Sequence, residues 1–430
     1  MRMFPIRLLR QRRTLFAVAC IAGLAAACAT PRTAPADPAD PAHAAGLDAS
    51  MFPAIDAAIQ GAIAGRKLPG AVFLLERDGD ADVRTDVRTF TQAYGTLSYD
   101  DPTPVRRDTV FDAASLTKVL ATAPAILMLA EQGKLDLDGR LVDVFPECAN
   151  GGKEAITIRQ LLTHSSGLPS GLPARPAWHG DAAGHLLACQ AAVTNAPGTL
   201  FRYSDINYVL LGQVVQRVSG MPLDAFVRMR LYEPLGMRDT GYLPLRRGVA
   251  RAVIAPTQKG AQAGTATAHT DLEPGQVLQG IVHDPTARRM EGVAGSAGVF
   301  TTAHDVARYA RMVLRNGELD GVRVLTPESV RLLTTVQSPP GLALRGMGMD
   351  IGSPYAVRPR GTVYPVGSFG HTGFTGCVLW IDPGSRSFYV LLSNRVYPDD
   401  GSNVLALYTA LGTLSARAAG ATSALAAHTR

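Results

Sequence analysis

Ser115 and Lys118 put a hydroxyl and an amine three residues apart, in the stretch Phe111-Asp112-Ala113-Ala114-Ser115-Leu116-Thr117-Lys118, at the mouth of the longest apolar helical run in the chain. Residues three apart share a helical face, with Cβ atoms roughly 5–6 Å apart, so the amine can reach the hydroxyl. A serine hydroxyl becomes a useful nucleophile when a neighbouring base takes its proton. A lysine serves as that base when its surroundings pull its pKa well below about 10.4. Val119, Leu120, Ile126, Leu127, Met128 and Leu129 supply the desolvation, and Gly133 ends the run. The chemistry such a pair could perform is nucleophilic catalysis by the serine oxygen. By itself S-x-x-K is also what a chance pair on a solvated helix looks like, so its weight depends on the rest of the chain.

The elements that must position this pair follow from periodicity. Phe52, Ile55, Ile59 and Ile63 repeat at helical spacing before Gly65. Gly70 to Leu75 reads as a strand, Asp78-Gly79-Asp80 as a turn, and Arg88 to Tyr94 as the partner strand. Pro124 removes one helical N–H within the Ser115 helix and predicts a bend. Thr157-Ile158-Arg159-Gln160 matches a capping box. Tyr203-Ser204-Asp205 precedes a helix with Ile206, Leu210, Val214 and Val218 inward and Gly220 at its end. Residues 240–295 carry turn formers without a period, which predicts a functional cover. Residues 171–200 are expected to shape the cleft with them. Thr302 and Thr326-Pro327 each open a further helix. Ser368 to Ile381, a turn at Asp382-Pro383-Gly384-Ser385, and Phe388 to Ser393 read as a buried hairpin, followed by a helix around Asn403 to Leu414. The fold class expected is mixed α/β of the α+β kind: one antiparallel sheet of N- and C-terminal strands flanked by helices, with a mostly helical lobe inserted.

At 430 residues and 47% hydrophobic content the chain can bury a large core. Its +6 charge is concentrated at the start, where Arg2, Arg7, Arg10, Arg12 and Arg13 leave the remainder near +1, and no basic stripe argues for nucleic acid. Residues 1–27 have the plan of a signal peptide. Leu24 to Ala29 is similar to a lipoprotein box, which would lipidate Cys28 and anchor the chain to a membrane, and Arg12-Arg13 is similar to a twin-arginine signal. Residues 28–48, with Pro31, Pro35, Pro38 and Pro41, read as a flexible tether, 49–416 as the folded domain and 417–430 as a tail. Cys148, Cys189 and Cys377 lack metal-ligand spacing; one disulfide among them suits an exported protein, and small buried thiols are the favoured reading. His164 and His283 read as structural histidines.

Ser115-Leu116-Thr117-Lys118, Tyr203-Ser204-Asp205 and His371-Thr372-Gly373 stand in order along the chain. Together they resemble the S-x-x-K, Y-x-N and K/H-T-G elements of the serine β-lactamase and DD-peptidase superfamily, in its class C and penicillin-binding-protein-like branch. Leu161 to Leu168, Glu233 to Met237, Val282-His283-Asp284 and Gly292 to Gly298 look like the same family, and the resemblance spans roughly residues 50 to 415. It implies that Ser115 attacks a carbonyl, that Lys118 and Tyr203 share the proton work, and that the N–H groups of Ser115 and Phe374 form the oxyanion hole. Asp205, His371, Thr372 and Gly373 would contact substrate. Asp205 replaces the usual amide donor by a carboxylate, which would hold Lys118 protonated more firmly. His371 replaces a lysine and is expected to be partly charged at neutral pH.

The expected activity is that of an exported serine hydrolase working through an acyl-Ser115 intermediate on D-Ala peptides or amides of cell-wall type, with no metal or organic cofactor. A carboxylesterase of the same family and a non-catalytic module that binds cell-wall fragments are the alternatives. The partners expected are a small molecule, peptide or ester substrate and no nucleic acid; oligomeric state is left open.

Overall fold

Two segments near the start of the chain and five near its end carry the strand pattern, and they meet in one sheet. The computed structural model describes residues 46–78, 88–261 and 272–422. The leader, Cys28, most of the tether, the Gly79-Asp80 turn and the end of the tail lie outside the described residues. Gly70–Arg77 (β1) is buried at every position and Thr89–Gly95 (β2) runs along its outer side. Leu344–Arg345 (β3), Asp350–Gly352 (β4), Phe369–Gly373 (β5), Cys377–Asp382 (β6) and Ser387–Ser393 (β7) complete an antiparallel sheet in the order β2-β1-β7-β6-β5-β4-β3. The register of the join runs from Ala71 opposite Ser393 to Arg77 opposite Ser387.

Alternate side chains of a strand face opposite ways, so a strand buried on both faces reads as a nearly continuous apolar run, as β1 does from Ala71 to Leu75. On one face Ala71, Phe73, Leu75, Trp380 and Tyr389 pack under the first helix, Phe52–Ala64 (α1), and the last, Leu405–Ala418, with Ile55, Ile59, Leu407 and Leu411 filling the layer. On the other, Val72, Leu74, Leu379, Ile381, Val390 and Leu392 meet the helical lobe. Each of these large apolar side chains contributes roughly 1.5–3 kcal/mol on burial.

The lobe contributes Ala123–Glu131 (α2), Asp205–Ser219 (α3) and Ala303–Leu314 (α4), and the terminal helix Leu405–Ala418 is α5. Gly220, with φ +71°, closes α3 as a left-handed cap. The Thr157 capping box forms as expected, with the Gln160 N–H donating to Thr157 Oγ1 and the Thr157 N–H to Gln160 Oε1. Val306, Ala310 and Val313 of α4 point inward as expected.

Three expectations change. The run from Ser368 to Ile381 is two strands, because a turn with Gly376 at φ +103° folds β5 back onto β6. The Ser115 helix is composite: a 3₁₀ turn at Ala114–Leu116, a π-helical turn at Lys118–Thr122, then α2. Pro124 has no N–H for the Leu120 carbonyl, and the widened turn accommodates that loss. Cys148 and Cys189 are joined in a disulfide, against the expectation of free thiols, while Cys377 is a buried free thiol.

Candidate active site

The site begins at Asp112. Its carboxylate accepts the Ala114 N–H at 2.8 Å and the His283 N–H at 2.7 Å, and burial pushes its pKa up to about 6. These bonds hold Ala114 at φ +46°, a conformation that costs a non-glycine residue on the order of 1–3 kcal/mol. The bend turns Ser115 out of the short strand Phe111–Asp112 and into the first helical turn.

One turn on, the fully buried Lys118 points back at it. Lys118 Nζ lies 3.0 Å from Ser115 Oγ, 2.9 Å from the Ser296 carbonyl and 2.7 Å from Asp205 Oδ1. The Ser296 carbonyl reaches this point because the glycine-rich run presses against α3: a Cβ on Gly295 would sit 2.0 Å from the Tyr208 carbonyl oxygen. Ser296 itself is buried and serves through its backbone.

Tyr203 and Asp205 arrive together at the start of α3. The Tyr203 side chain stands beside Ser115 and Lys118, with the Lys118 ammonium 5.1 Å from its ring centroid. Burial alone would lower the Lys118 pKa, but the Asp205 carboxylate and Tyr203 outweigh it and push it up. Burial raises the Tyr203 pKa as well, with Lys118 pulling the other way. At rest the pair is an ammonium and a phenol, so desolvation does not make Lys118 a free amine here.

His164 is the structural histidine expected, and what it holds in place is the Tyr203 motif. Its Nδ1 accepts the Ser204 N–H at 3.2 Å and lies 3.1 Å from Asn207 Nδ2, and its ring sits 4.4 Å from that of Tyr203. Burial, with Arg345 and Lys118 nearby, holds it neutral. It therefore fixes the backbone and ring of the Tyr203 motif.

The third motif comes from β5. A Cβ on Gly373 would lie 2.4 Å from the Ala113 carbonyl oxygen, so glycine is what lets β5 pass this close to the Ser115 segment. Thr375 Oγ1 donates to the Asp112 carbonyl at 2.7 Å and ties the following turn to the same place. Phe374 lies between these two anchors. His371 is buried, and burial first, then Arg345 and Lys118, push its pKa well below the usual histidine value. It is neutral, not partly charged as its type suggests. Arg345, which the sequence did not single out, is also buried, paired with Asp350 at 3.3 Å and donating to the Gly348 carbonyl at 2.8 Å.

A cleft of about 400 Å³ opens over Ser115, Tyr203, Thr372 and Phe374 and continues toward Tyr355, Trp380, Arg395 and Leu405. Among the described residues its walls come from residues 345–380 and 395–408, beside Ser115 and Tyr203, whereas 171–200 and 240–295 were expected to supply them. Elsewhere, Cys148, Cys189 and His185 lie with ligand atoms within 4.8 Å of one another, but the disulfide commits both sulfurs.

Residues 55–413 match the sequence model of the Beta-lactamase family. A protein of Escherichia coli K12, provisionally named a D-alanyl-D-alanine carboxypeptidase, is 31% identical over 346 residues, which are 76% of this chain and 78% of that one. An N-acetylmuramyl-L-alanine amidase of Bacillus subtilis 168 is 30% identical over 359 residues, 78% of this chain and 80% of the relative. Among solved structures, a penicillin-binding protein homologue from Caulobacter crescentus superposes with a TM-score of 0.65 at 21% identity, covering 87% of this chain and 99% of that one. EstCE1, a hydrolase with promiscuous acyltransferase activity, gives 0.64 at 22% identity, covering 84% and 98%. These two share the fold. The family match over most of the chain and the two relatives at 30% identity or above agree with the order of the three motifs, and the chain belongs to the beta-lactamase family of serine hydrolases.

Proposed function

We propose that the protein hydrolyses amide bonds of D-alanine-containing, cell-wall-type peptides through an ester on Ser115. The observation that carries this reading is the 3.0 Å contact between Ser115 Oγ and the buried Lys118 Nζ on the floor of an open cleft. The D-alanine class is supported by the name provisionally given to the Escherichia coli relative, a D-alanyl-D-alanine carboxypeptidase, and amide cleavage by that of the Bacillus subtilis relative, an N-acetylmuramyl-L-alanine amidase.

Ser115 Oγ attacks the carbonyl carbon, and its proton passes to Lys118 as Lys118 hands one of its own to Asp205 Oδ1 at 2.7 Å. Asp205 is thereby a proton acceptor, and the relay removes the need for a free amine at rest. Tyr203, which stands beside both Ser115 and Lys118, steadies the exchange and carries the proton to the leaving nitrogen. The Ser115 and Phe374 N–H groups hold the oxyanion, a type of contact whose loss typically lowers the rate ~10²–10³-fold. The C–N bond breaks, the amine leaves with its proton, and water repeats the sequence on the ester to release the acid and free Ser115.

An ester substrate is the second reading. His371 is neutral and the two terminal nitrogens of Arg345 are taken by Asp350 and the Gly348 carbonyl, which favours a substrate without a free carboxylate at the third-motif end of the cleft. Intact-mass analysis of residues 29–430 after exposure to a fluorescent penicillin, a p-nitrophenyl ester and a D-Ala-D-Ala peptide, with Ser115→Ala alongside, separates the cases. Peptide turnover and a Ser115-dependent penicillin adduct support the first reading. Ester turnover without either moves the assignment to an esterase. If no reagent touches Ser115 in folded protein, the binding module becomes the account.

Export belongs to the same proposal. It is supported by the leader pattern and by the Cys148–Cys189 disulfide, a bond that persists in oxidising compartments. Lipidation of Cys28 is tested by metabolic labelling with palmitate, which Cys28→Ser should abolish.

A further inference from the structure

We propose that Arg395, just past the end of β7, is a positioning residue for the oxyanion-binding turn and acts through Phe374. This rests on the reading above, in which the Phe374 N–H faces the developing oxyanion. The turn from Gly373 to Cys377 has glycine at two of its five positions, and glycine leaves φ and ψ wide freedom. Within the turn the Gly376 N–H donates to the Gly373 carbonyl at 3.0 Å. That bond holds the Gly373–Phe374 plane through its carbonyl, but the two planes that follow, Phe374–Thr375 and Thr375–Gly376, need partners of their own, and their rotation would shift Phe374 and its N–H in the cleft.

Arg395 supplies the restraint. Its Nε donates to the Phe374 carbonyl at 2.8 Å, and its own backbone N–H donates to the Thr375 carbonyl at 2.9 Å. Two successive carbonyls of the turn are thus held from one residue. Its guanidinium lies 4.5 Å from the centroid of the Phe374 ring, which is 52% exposed and also stacks with His283 at 5.6 Å. The guanidinium is itself fixed, since Nη1 donates to Asp400 Oδ1 and to the Ser402 carbonyl, each at 2.8 Å. The turn closes down on the arginine stem, where a Cβ on Gly376 would lie 2.9 Å from Arg395 Cγ. A planar head that bonds the Phe374 carbonyl through Nε while Nη1 anchors it to Asp400 and Ser402 is what arginine provides and lysine does not.

The test uses p-nitrophenyl acetate turnover and binding of benzeneboronic acid, which adds to the serine oxygen and places a boronate oxygen in the oxyanion position. In Arg395→Met, kcat should fall roughly 10- to 100-fold, short of the loss for removing a donor outright. KM should stay within about threefold, and boronate affinity should fall by the same factor as kcat/KM. Arg395→Lys, which keeps a charge near the ring but not the fork, should lie between. Asp400→Asn, which loosens the guanidinium without truncating it, should show the same pattern at about 3- to 10-fold, and it decides the matter where the methionine variant does not fold. Full kcat and boronate affinity in a folded variant overturn the positioning role and leave the functional reading intact. Absence of Ser115-dependent turnover in the unaltered protein overturns that reading, and this proposal with it.

Discussion

At the scale of single residues the site is governed by charge placed next to burial. Asp205 keeps Lys118 an ammonium, and replacing it with asparagine removes both that hold and the proton acceptor. Asp205→Asn should lower kcat at pH 7 by roughly 10²-fold, within the usual range for loss of an acid–base group. A pH–rate profile checks this; a rise in neutral activity would mean that Asp205 only restrains Lys118. Asp112 titrates the other way, its folded pKa of about 6 lying above the ordinary 3.8. Folding therefore favours its protonated form, so its contribution is fully present below pH 3.8 and is lost as pH rises through 6. The stability difference between the protein and Asp112→Asn should narrow over that window by on the order of 2–3 kcal/mol, read from denaturation at pH 4 and pH 7. At Gly373 the constraint is space: Gly373→Ala puts a methyl against the Ala113 carbonyl and should lower kcat ~10²-fold or more by displacing Phe374.

At the scale of elements, Pro124 and the π-helical turn before it set where Lys118 sits relative to Ser115. Pro124→Ala restores an N–H that can bond the Leu120 carbonyl and draw the turn toward α-helical register. The expected result is a fall in kcat of at least tenfold with little change in the denaturation midpoint, since a 1 Å misplacement alone can cost 10²-fold. The local signals here were legible in advance. Ser115, Lys118, Tyr203 and Gly373 lie in short contiguous motifs, and capping residues such as Thr157 mark their helices directly. The split of 368–381 into two strands was not legible, because the residues on both sides of the turn are buried and the apolar pattern runs through it. Ala114 gives no sign of its left-handed backbone, which is imposed by Asp112 and His283 from a distance. His164 matters through partners 40 or more positions away, and Arg345 and Arg395 through carbonyls of irregular chain, which no spacing rule reaches.

At the scale of the whole molecule, the Cys148–Cys189 bridge closes a loop of 41 residues that contains His164 and the Thr157 helix. Loop-closure entropy assigns such a bridge about 4 kcal/mol, so a thiol reductant or Cys148→Ser should lower the guanidinium midpoint accordingly. The pairing itself was beyond the sequence, since two cysteines 41 positions apart carry no mark of proximity.

The central join of the sheet, β1 against β7, unites segments roughly 300 residues apart, with Ala71 opposite Ser393. A chain still emerging from the ribosome has the first strand but nothing to set beside it, and the nucleophile's helix has no wall to lean on. The layer beneath is likewise shut by α1 and α5, drawn from opposite ends of the polypeptide. The sheet therefore cannot close, nor the site form, until β7 is available to pair with β1. A premature stop anywhere before β7 leaves no partial enzyme, only an unclosed sheet with β1 bare along one edge, which is the kind of exposed strand that aggregates or is degraded.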